Sequence, residues 1–196
     1  MIFKPNGTSL FFREALRKPF QIGAFGPSSP KLAAAMAKWL PEYYSDWVLE
    51  LGPGTGAITR SLLKRGLHPT KLITVEISQT LTHYLAKKYP HSIVLQGDAL
   101  QLVPLINRTV PQAKTFEYIF SSLPLCNFPL RATETITQNI CKLLKPNGLF
   151  VQYSYRLDTL KARNLPNLNY CQSEIVWLNI PPVRVSVYQV NPRALG

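Results

Sequence analysis

The run Trp47-Val48-Leu49-Glu50-Leu51-Gly52-Pro53-Gly54-Thr55-Gly56 constrains the fold more than any other part of the chain. Its first five residues read as a buried strand, and the alternating glycines read as a tight turn into a helix over about Gly56 to Lys64. Glycine has no side chain to clash, so such a turn lets backbone approach a ligand closely. A strand that feeds a helix in this way is one half of a strand–helix–strand unit.

The pattern repeats downstream. Strands are predicted at Leu72–Glu76, Ser92–Gln96, Glu117–Ser122 and Leu149–Tyr155. Helices are predicted at Ser78–Tyr89 and at Arg131–Leu144, the latter stopped by Lys145-Pro146-Asn147-Gly148. Upstream, Ser29 is a predicted N-cap with Pro30 at the first helical position, opening a helix to Leu40. Near the C-terminus, Glu174–Leu178 and Arg184–Val190 flank Asn179-Ile180-Pro181-Pro182 as an antiparallel pair. This alternation predicts an α/β fold. It is a Rossmann-like, doubly wound, mostly parallel seven-stranded sheet with helices on both faces and a C-terminal antiparallel hairpin. Residues 29–196 are expected to form that domain, with 1–28 as an N-terminal helix and a segment facing the cofactor and membrane.

That first helix spans about Ser9 to Lys18. Phe11, Phe12, Ala15, Leu16 and Phe20 gather on one side, with Arg13, Glu14, Arg17 and Lys18 on the other. The chain carries 22 Lys and Arg against 10 Asp and Glu, a net charge of +12. Residues 1–40 hold six basic and one acidic side chain, whereas residues 41–100 hold six and five. The basic end is expected to meet a polyanion, either nucleic acid or anionic lipid. Cys126, Cys141 and Cys171 lack metal-ligand or CxxC spacing and read as reduced thiols, and no metal is expected. No apolar run is long enough for a signal peptide or a membrane span, so the expected location is cytoplasmic.

Gly52-Pro53-Gly54-Thr55-Gly56-Ala57 also fits the relaxed dinucleotide fingerprint, and context decides between ligands. Glu50 lies two residues before the first glycine, where a carboxylate can order an amino group. Glu76 ends the next strand and can accept from both hydroxyls of a ribose. Asp98, in Gly97-Asp98-Ala99, can accept from the exocyclic amine of adenine. A ligand with an amino-acid end, a ribose and an adenine is S-adenosylmethionine, with S-adenosylhomocysteine as its product. Gly52, Gly54, Thr55, Gly56, Ile77, Gly97, Ala99 and Ser121 complete the expected cofactor set.

Val48–Leu63, Glu76, Gly97-Asp98-Ala99 and the Leu144–Gly148 turn together resemble the class I S-adenosylmethionine-dependent methyltransferases. Phe11-Phe12-Arg13, Gly23–Ser29, Ser121-Ser122-Leu123-Pro124-Leu125, Val151–Tyr155 and Val176–Val185 narrow the likeness. Over about residues 9–190 the chain resembles bacterial phospholipid N-methyltransferases, and in its core the ribosomal-RNA adenine dimethylases.

The narrower resemblance implies transfer of methyl groups to the amine of phosphatidylethanolamine and its mono- and dimethyl derivatives, up to phosphatidylcholine. It implies an anionic membrane surface as partner, at the inner face of the membrane, with no obligate protein partner. Ser122, Tyr153 and Tyr155 are the candidate acceptor residues, the tyrosines because aromatic faces attract methylated ammonium groups. Phe11, Phe12, Arg13, Leu16, Arg17 and Lys18 are the candidate membrane contacts. The alternative acceptor is an adenine of ribosomal RNA. Against it, Leu125 stands where the RNA enzymes carry an aromatic residue that stacks on the flipped base.

Overall fold

The computed structural model describes residues 28–157 and 165–190. The expected helix at Ser9–Lys18, its six membrane contacts and the run Gly23–Pro27 lie outside the described residues.

The chain opens with helix α1 (Pro30–Ala37). The Ser29 side chain accepts from the Leu32 amide at 3.1 Å and Pro30 stands in the first turn, as the sequence predicts. The helix ends before the expected Leu40, although Trp39 and Leu40 still bond back to Met36 and Ala37. Pro41 accounts for the early end, because it restricts the residue before it.

Next come β1 (Val48–Leu51), α2 (Ala57–Lys64), β2 (Leu72–Glu76), α3 (Gln79–Lys88), β3 (Ile93–Gln96), α4 (Leu102–Thr109) and β4 (Phe116–Ser121). The chain continues through α5 (Leu130–Leu143), β5 (Leu144–Ser154), β6 (Leu168–Val176) and β7 (Val183–Val190). The seven strands lie in the order β3-β2-β1-β4-β5-β7-β6. β1 to β5 are parallel, β7 is antiparallel to β5, and β6 is antiparallel to β7. β6 therefore runs in the same direction as β5, and its C-terminal end reaches the edge where the parallel strands end.

Three further elements differ from expectation. Helix α4 was not predicted, because Pro104 interrupts its pattern; in the structure Pro104 sits in the first turn, where a missing N–H costs nothing. Lys145-Pro146-Asn147-Gly148 does not separate a helix from a strand. β5 starts at Leu144, directly after α5, and the four residues are an irregularity within it, where pairing shifts between Phe116↔Leu144 and Tyr118↔Leu149. β6 begins at Leu168, six residues before the expected Glu174. It is an edge strand with exposed Asn169, Cys171 and Gln172, so its first half lacks an alternating apolar signal.

Side chains from the two faces of the sheet form two cores. On one face Leu32, Met36 and Leu40 join Ile58, Leu62, Tyr118, Phe120, Val151 and Val185 beneath α1 and α2. On the other, Leu49, Ile73, Ile119 and Phe150 pack with Leu105, Ile106, Ile136 and Ile140 of α4 and α5. Burying one such side chain is worth roughly 1.5–3 kcal/mol. The alternation along β1 and β4 thus commits both faces to helices and leaves the strand ends as the open edge. The helices on either side of β1 and β4 diverge there, which is where ligands bind in open α/β sheets.

Candidate functional site

The glycine turn leaves β1 at this edge. Gly52, Gly54 and Gly56 have φ of 66°, 57° and 80°, values that side-chain-bearing residues rarely adopt. A Cβ on Gly52 would meet the Leu123 side chain at 2.9 Å, so that position is closed by packing. A Cβ on Gly54 would meet nothing within 4 Å, so open space lies above its backbone. The turn thus offers a cradle at Gly54 and is braced at its start.

Glu50 lies beneath this turn and is fully buried. Its carboxylate accepts from the Thr59 amide at 3.1 Å and from the Thr59 hydroxyl at 2.6 Å, linking β1 to the first turn of α2. Burial pushes its pKa up to about 7, with the Thr59 bonds opposing the shift. Both oxygens therefore have partners inside the fold.

Glu76, at the end of β2, accepts from the Gly54 amide at 3.1 Å and from the Ser78 amide at 3.0 Å. Burial raises its pKa, and those amides oppose the rise. Each carboxylate oxygen retains a second lone pair for a ligand. Asp98 caps the turn after β3: its Oδ1 accepts from the Leu100 amide at 2.9 Å, and burial raises its pKa too.

One cleft gathers these groups. Gly52, Glu76, Ile77, Gly97, Asp98 and Ala99 line it, all of them expected from sequence. Leu51, Val75 and Leu123 line it as well. Leu123 belongs to the Ser-Ser-Leu-Pro-Leu run, which the sequence places at the acceptor pocket; its side chain covers Gly52 and lines the cleft beside it. Glu50, Gly54, Thr55, Gly56 and Ser121 are not among the lining residues. Ser121 is fully buried, and its hydroxyl accepts from the Leu123 amide at 3.2 Å. Thr55 is exposed on the outside of the turn, where its carbonyl accepts from Lys88 at 2.9 Å.

Asn139 of α5 is a supporting residue that sequence reasoning missed. Its Nδ2 donates to the carbonyls of Ala99 and Leu100 at 3.1 and 3.0 Å, holding the Asp98 turn from 40 residues away. An Asn on the buried side of an amphipathic helix was the available signal.

The cleft fits S-adenosylmethionine on its own chemistry. Two carboxylates stand at strand ends about one strand apart, beside a glycine backbone with room above it. Ile77, Leu123 and Ala99 supply apolar walls between the polar groups, as a ribose flanked by a base requires. Among the described residues no cluster of three or more metal-ligating side chains is present.

A second group of side chains lies along the same edge. Tyr153 of β5 and Tyr155 just after it point to one face, with ring centroids 5.9 Å apart and planes at 90°. The Tyr153 hydroxyl hydrogen-bonds with Ser28 and Ser122, and burial raises its pKa against these bonds. Tyr155, bonded to Asn179, is pushed up to about 12, chiefly by burial. Both phenols stay neutral near pH 7. The three sequence-predicted acceptor residues are thereby brought together.

On the opposite face, Gln152 and Arg184 stand near the ends of their strands. Gln152 Nε2 donates to the carbonyls of Leu123 and Tyr153, both at 2.7 Å, which fixes the loop after β4; its Oε1 is buried with no partner. Arg184 of β7, opposite Ser154, is 8% exposed. It donates to the Ser173 hydroxyl at 2.6 Å and the Leu157 carbonyl at 2.9 Å, while its Nε has no partner among the described residues. Among the described residues no carboxylate pairs with it.

Comparison with known proteins gives the same picture. Residues 48–148 match the family described as methyltransferase domain. The ornithine lipid N-methyltransferase of Singulisphaera acidiphila is 28% identical over 148 residues, covering 73% of this chain and 75% of that protein. The ribosomal RNA small subunit methyltransferase A of Synechococcus sp. (strain JA-3-3Ab) is 40% identical over 75 residues. That match covers 36% of this chain and only 26% of the RNA enzyme. Among solved structures, the 1,6-didemethyltoxoflavin-N1-methyltransferase of Burkholderia thailandensis, bound to 1,6-didemethyltoxoflavin and S-adenosylhomocysteine, superposes with a TM-score of 0.69. It shares 15% identity and covers 97% of this chain and 92% of that one. Cleft, sheet order and matched span agree, and the chain belongs to the methyltransferase-domain family, as a class I S-adenosylmethionine-dependent methyltransferase.

Proposed function

We propose that this chain transfers methyl groups to the amine of phosphatidylethanolamine and of its mono- and dimethyl derivatives, at the surface of an anionic membrane, yielding methylated lipids up to phosphatidylcholine. The observation that carries this reading is the perpendicular pair Tyr153 and Tyr155 beside Ser122, at the end of β5 and next to the cofactor cleft. Similarity to a lipid N-methyltransferase over 148 residues supports a lipid-like acceptor.

In this proposal Glu76 holds the ribose, Asp98 the adenine amine, and the turn from Gly52 to Gly56 the methionine end, with Glu50 keeping the turn in place. The bound S-adenosylmethionine supplies an electrophilic methyl group on a sulfonium. The chain's own work is to position and desolvate the acceptor. A primary amine that leaves water loses part of its preference for the charged form, which frees the lone pair. In-line placement supplies much of the remaining acceleration. The tyrosine faces attract the increasingly methylated ammonium, while their raised pKa values keep them from acting as proton acceptors near pH 7. Arg184, buried and without a carboxylate partner among the described residues, suits the phosphodiester of the same head group.

Residues 1–28, of which 1–27 lie outside the described residues, are proposed as a membrane-facing segment at the inner face of the bilayer, with Phe11, Phe12, Arg13, Leu16, Arg17 and Lys18 as contacts. Among the described residues no helix is long and apolar enough to cross a membrane.

Ribosomal RNA is the competing acceptor, favoured by the local likeness of the cores. Leu125 argues against it: it is 2% exposed and packs inward, so it offers no platform to a flipped base. The deciding experiment supplies labelled S-adenosylmethionine with phosphatidylethanolamine–phosphatidylglycerol vesicles and, in parallel, ribosomal RNA. Label in mono-, di- and trimethylated lipid is the expected result; label in RNA alone refutes the lipid reading.

A further inference from the structure

Trp177, Leu178 and Ile180 are 67%, 71% and 94% exposed. Single exposed apolar residues are ordinary on protein surfaces, but three in four consecutive positions make a patch. The residue between them, Asn179, is 4% exposed. Its Oδ1 accepts from the Ser29 hydroxyl at 2.5 Å and its Nδ2 donates to the Pro181 carbonyl at 2.6 Å. The turn from β6 to β7 is therefore pinned through Asn179 to the start of α1, and its apolar neighbours are turned outward.

Topology fixes where they point. β6 runs parallel to β5 in the sheet, so the turn after Val176 lies at the edge where β1, β4 and β5 end. Leu130, at the start of α5 beyond the loop from β4, is 67% exposed at the same edge. Exposed cations stand with these groups: Lys31 in the first turn of α1, Arg131 in that of α5, and Arg156 just after β5. Among the described residues none of the three takes part in an ion pair. The nearby Glu174 of β6 is paired with Lys38.

We infer that the β6–β7 turn is a membrane wedge. Trp177, Leu178 and Ile180 enter the interfacial layer of an anionic bilayer, and Lys31, Arg131 and Arg156 lie against its head groups. Tryptophan favours that layer, where its ring is apolar and its N–H stays hydrated. Basic residues are drawn to the negative surface potential. A protein partner calls for roughly 800 Å² per side, more than a protruding tip of three side chains presents. The inference rests on the lipid reading of the acceptor, because a head group that stays in the bilayer reaches the acceptor residues only if the membrane meets this edge.

The test uses the full chain with vesicles of phosphatidylethanolamine and phosphatidylglycerol. Tryptophan emission should shift to the blue and be quenched by lipids brominated high on their acyl chains, and Trp177→Phe should abolish that quenching. Trp177→Ser combined with Ile180→Ser should weaken vesicle binding by about tenfold or more, with affinity for S-adenosylhomocysteine unchanged. Emission that stays unquenched while the double variant binds like the parent overturns the wedge, even if lipid is methylated. Self-association of the parent that the double variant relieves overturns it in favour of a second copy. Insertion without methyl transfer to lipid supports the wedge and refutes the lipid acceptor.

Discussion

The Gly54 amide donates to the Glu76 carboxylate at 3.1 Å, joining the glycine turn after β1 to the end of β2. One side chain thus shapes the cradle and lines the cleft. Glu76→Ala removes both functions, and affinity for S-adenosylhomocysteine should fall about tenfold to a hundredfold, the worth of one or two hydrogen bonds to a charged group. Glu76→Gln keeps an acceptor and should lose less. Isothermal titration calorimetry reads both, and unchanged affinity in the alanine variant would refute the assignment.

Glu50 makes folding stability depend on pH. Its carboxyl rises from 4.5 to about 7 in the folded chain. Between those values the folded chain keeps a proton that the unfolded chain has released, so stability falls as pH rises through this window. Below the window the group contributes no slope, and above it the loss is complete. Glu50→Gln still accepts from the Thr59 amide and donates to the Thr59 hydroxyl, and it carries no proton to lose. The variant should gain on the parent from about pH 5 to about pH 8, by at most about 3 kcal/mol. Denaturant melts at both pH values measure this.

Asn139 holds the Asp98 turn by two donated bonds. Asn139→Leu leaves the carbonyls of Ala99 and Leu100 without that donor and should cost about 1–3 kcal/mol of stability. It should also weaken S-adenosylhomocysteine binding although the side chain does not line the cleft. Calorimetry beside thermal melts separates the two effects.

Tyr155→Leu should discriminate between acceptors. Loss of the aromatic face costs about 0.5–2 kcal/mol of attraction to a cation, so the later, more methylated products should decline more than the first. Tyr155→Phe keeps the face and should preserve the product ratio, which chromatography of the lipid products resolves.

Arg184→Gln should raise the KM for phosphatidylethanolamine by about tenfold or more while leaving S-adenosylhomocysteine affinity intact, as expected for a cation that meets a phosphodiester. Arg184→Lys should recover part of the loss, because it restores charge without the planar fork. A KM that stays at the parental value would confine Arg184 to supporting the Ser173 and Leu157 contacts.

The residues that line the cleft were legible in sequence because their signals are local. Gly52, Glu76 and Asp98 each stand at or within two residues of the end of a strand, so counting along the chain finds them. The proposed acceptor half, and the bonds that brace the site, join separate elements. Tyr153 and Tyr155 could be placed on one face by alternation alone, but Asn179 against Ser29, or Asn139 against Ala99, join residues 150 and 40 positions apart. The late start expected for β6 has a similar cause: its first half is an edge with exposed polar residues, and nothing in their spacing announces a strand.

The strand order has one more consequence. The groups proposed to grip the donor come from residues 50–99, on β1, β2 and β3, whereas those proposed for the acceptor come from residues 122–184, on and after β4, β5 and β7. The border between β1 and β4 is thus a seam, crossed by Leu123 over Gly52 and by Asn139 on the carbonyls of Ala99 and Leu100. A chimera that keeps the first half together with Leu123 and Asn139, and takes its other later residues from a relative, would inherit the grip on the methyl donor from one parent and the choice of recipient from the other.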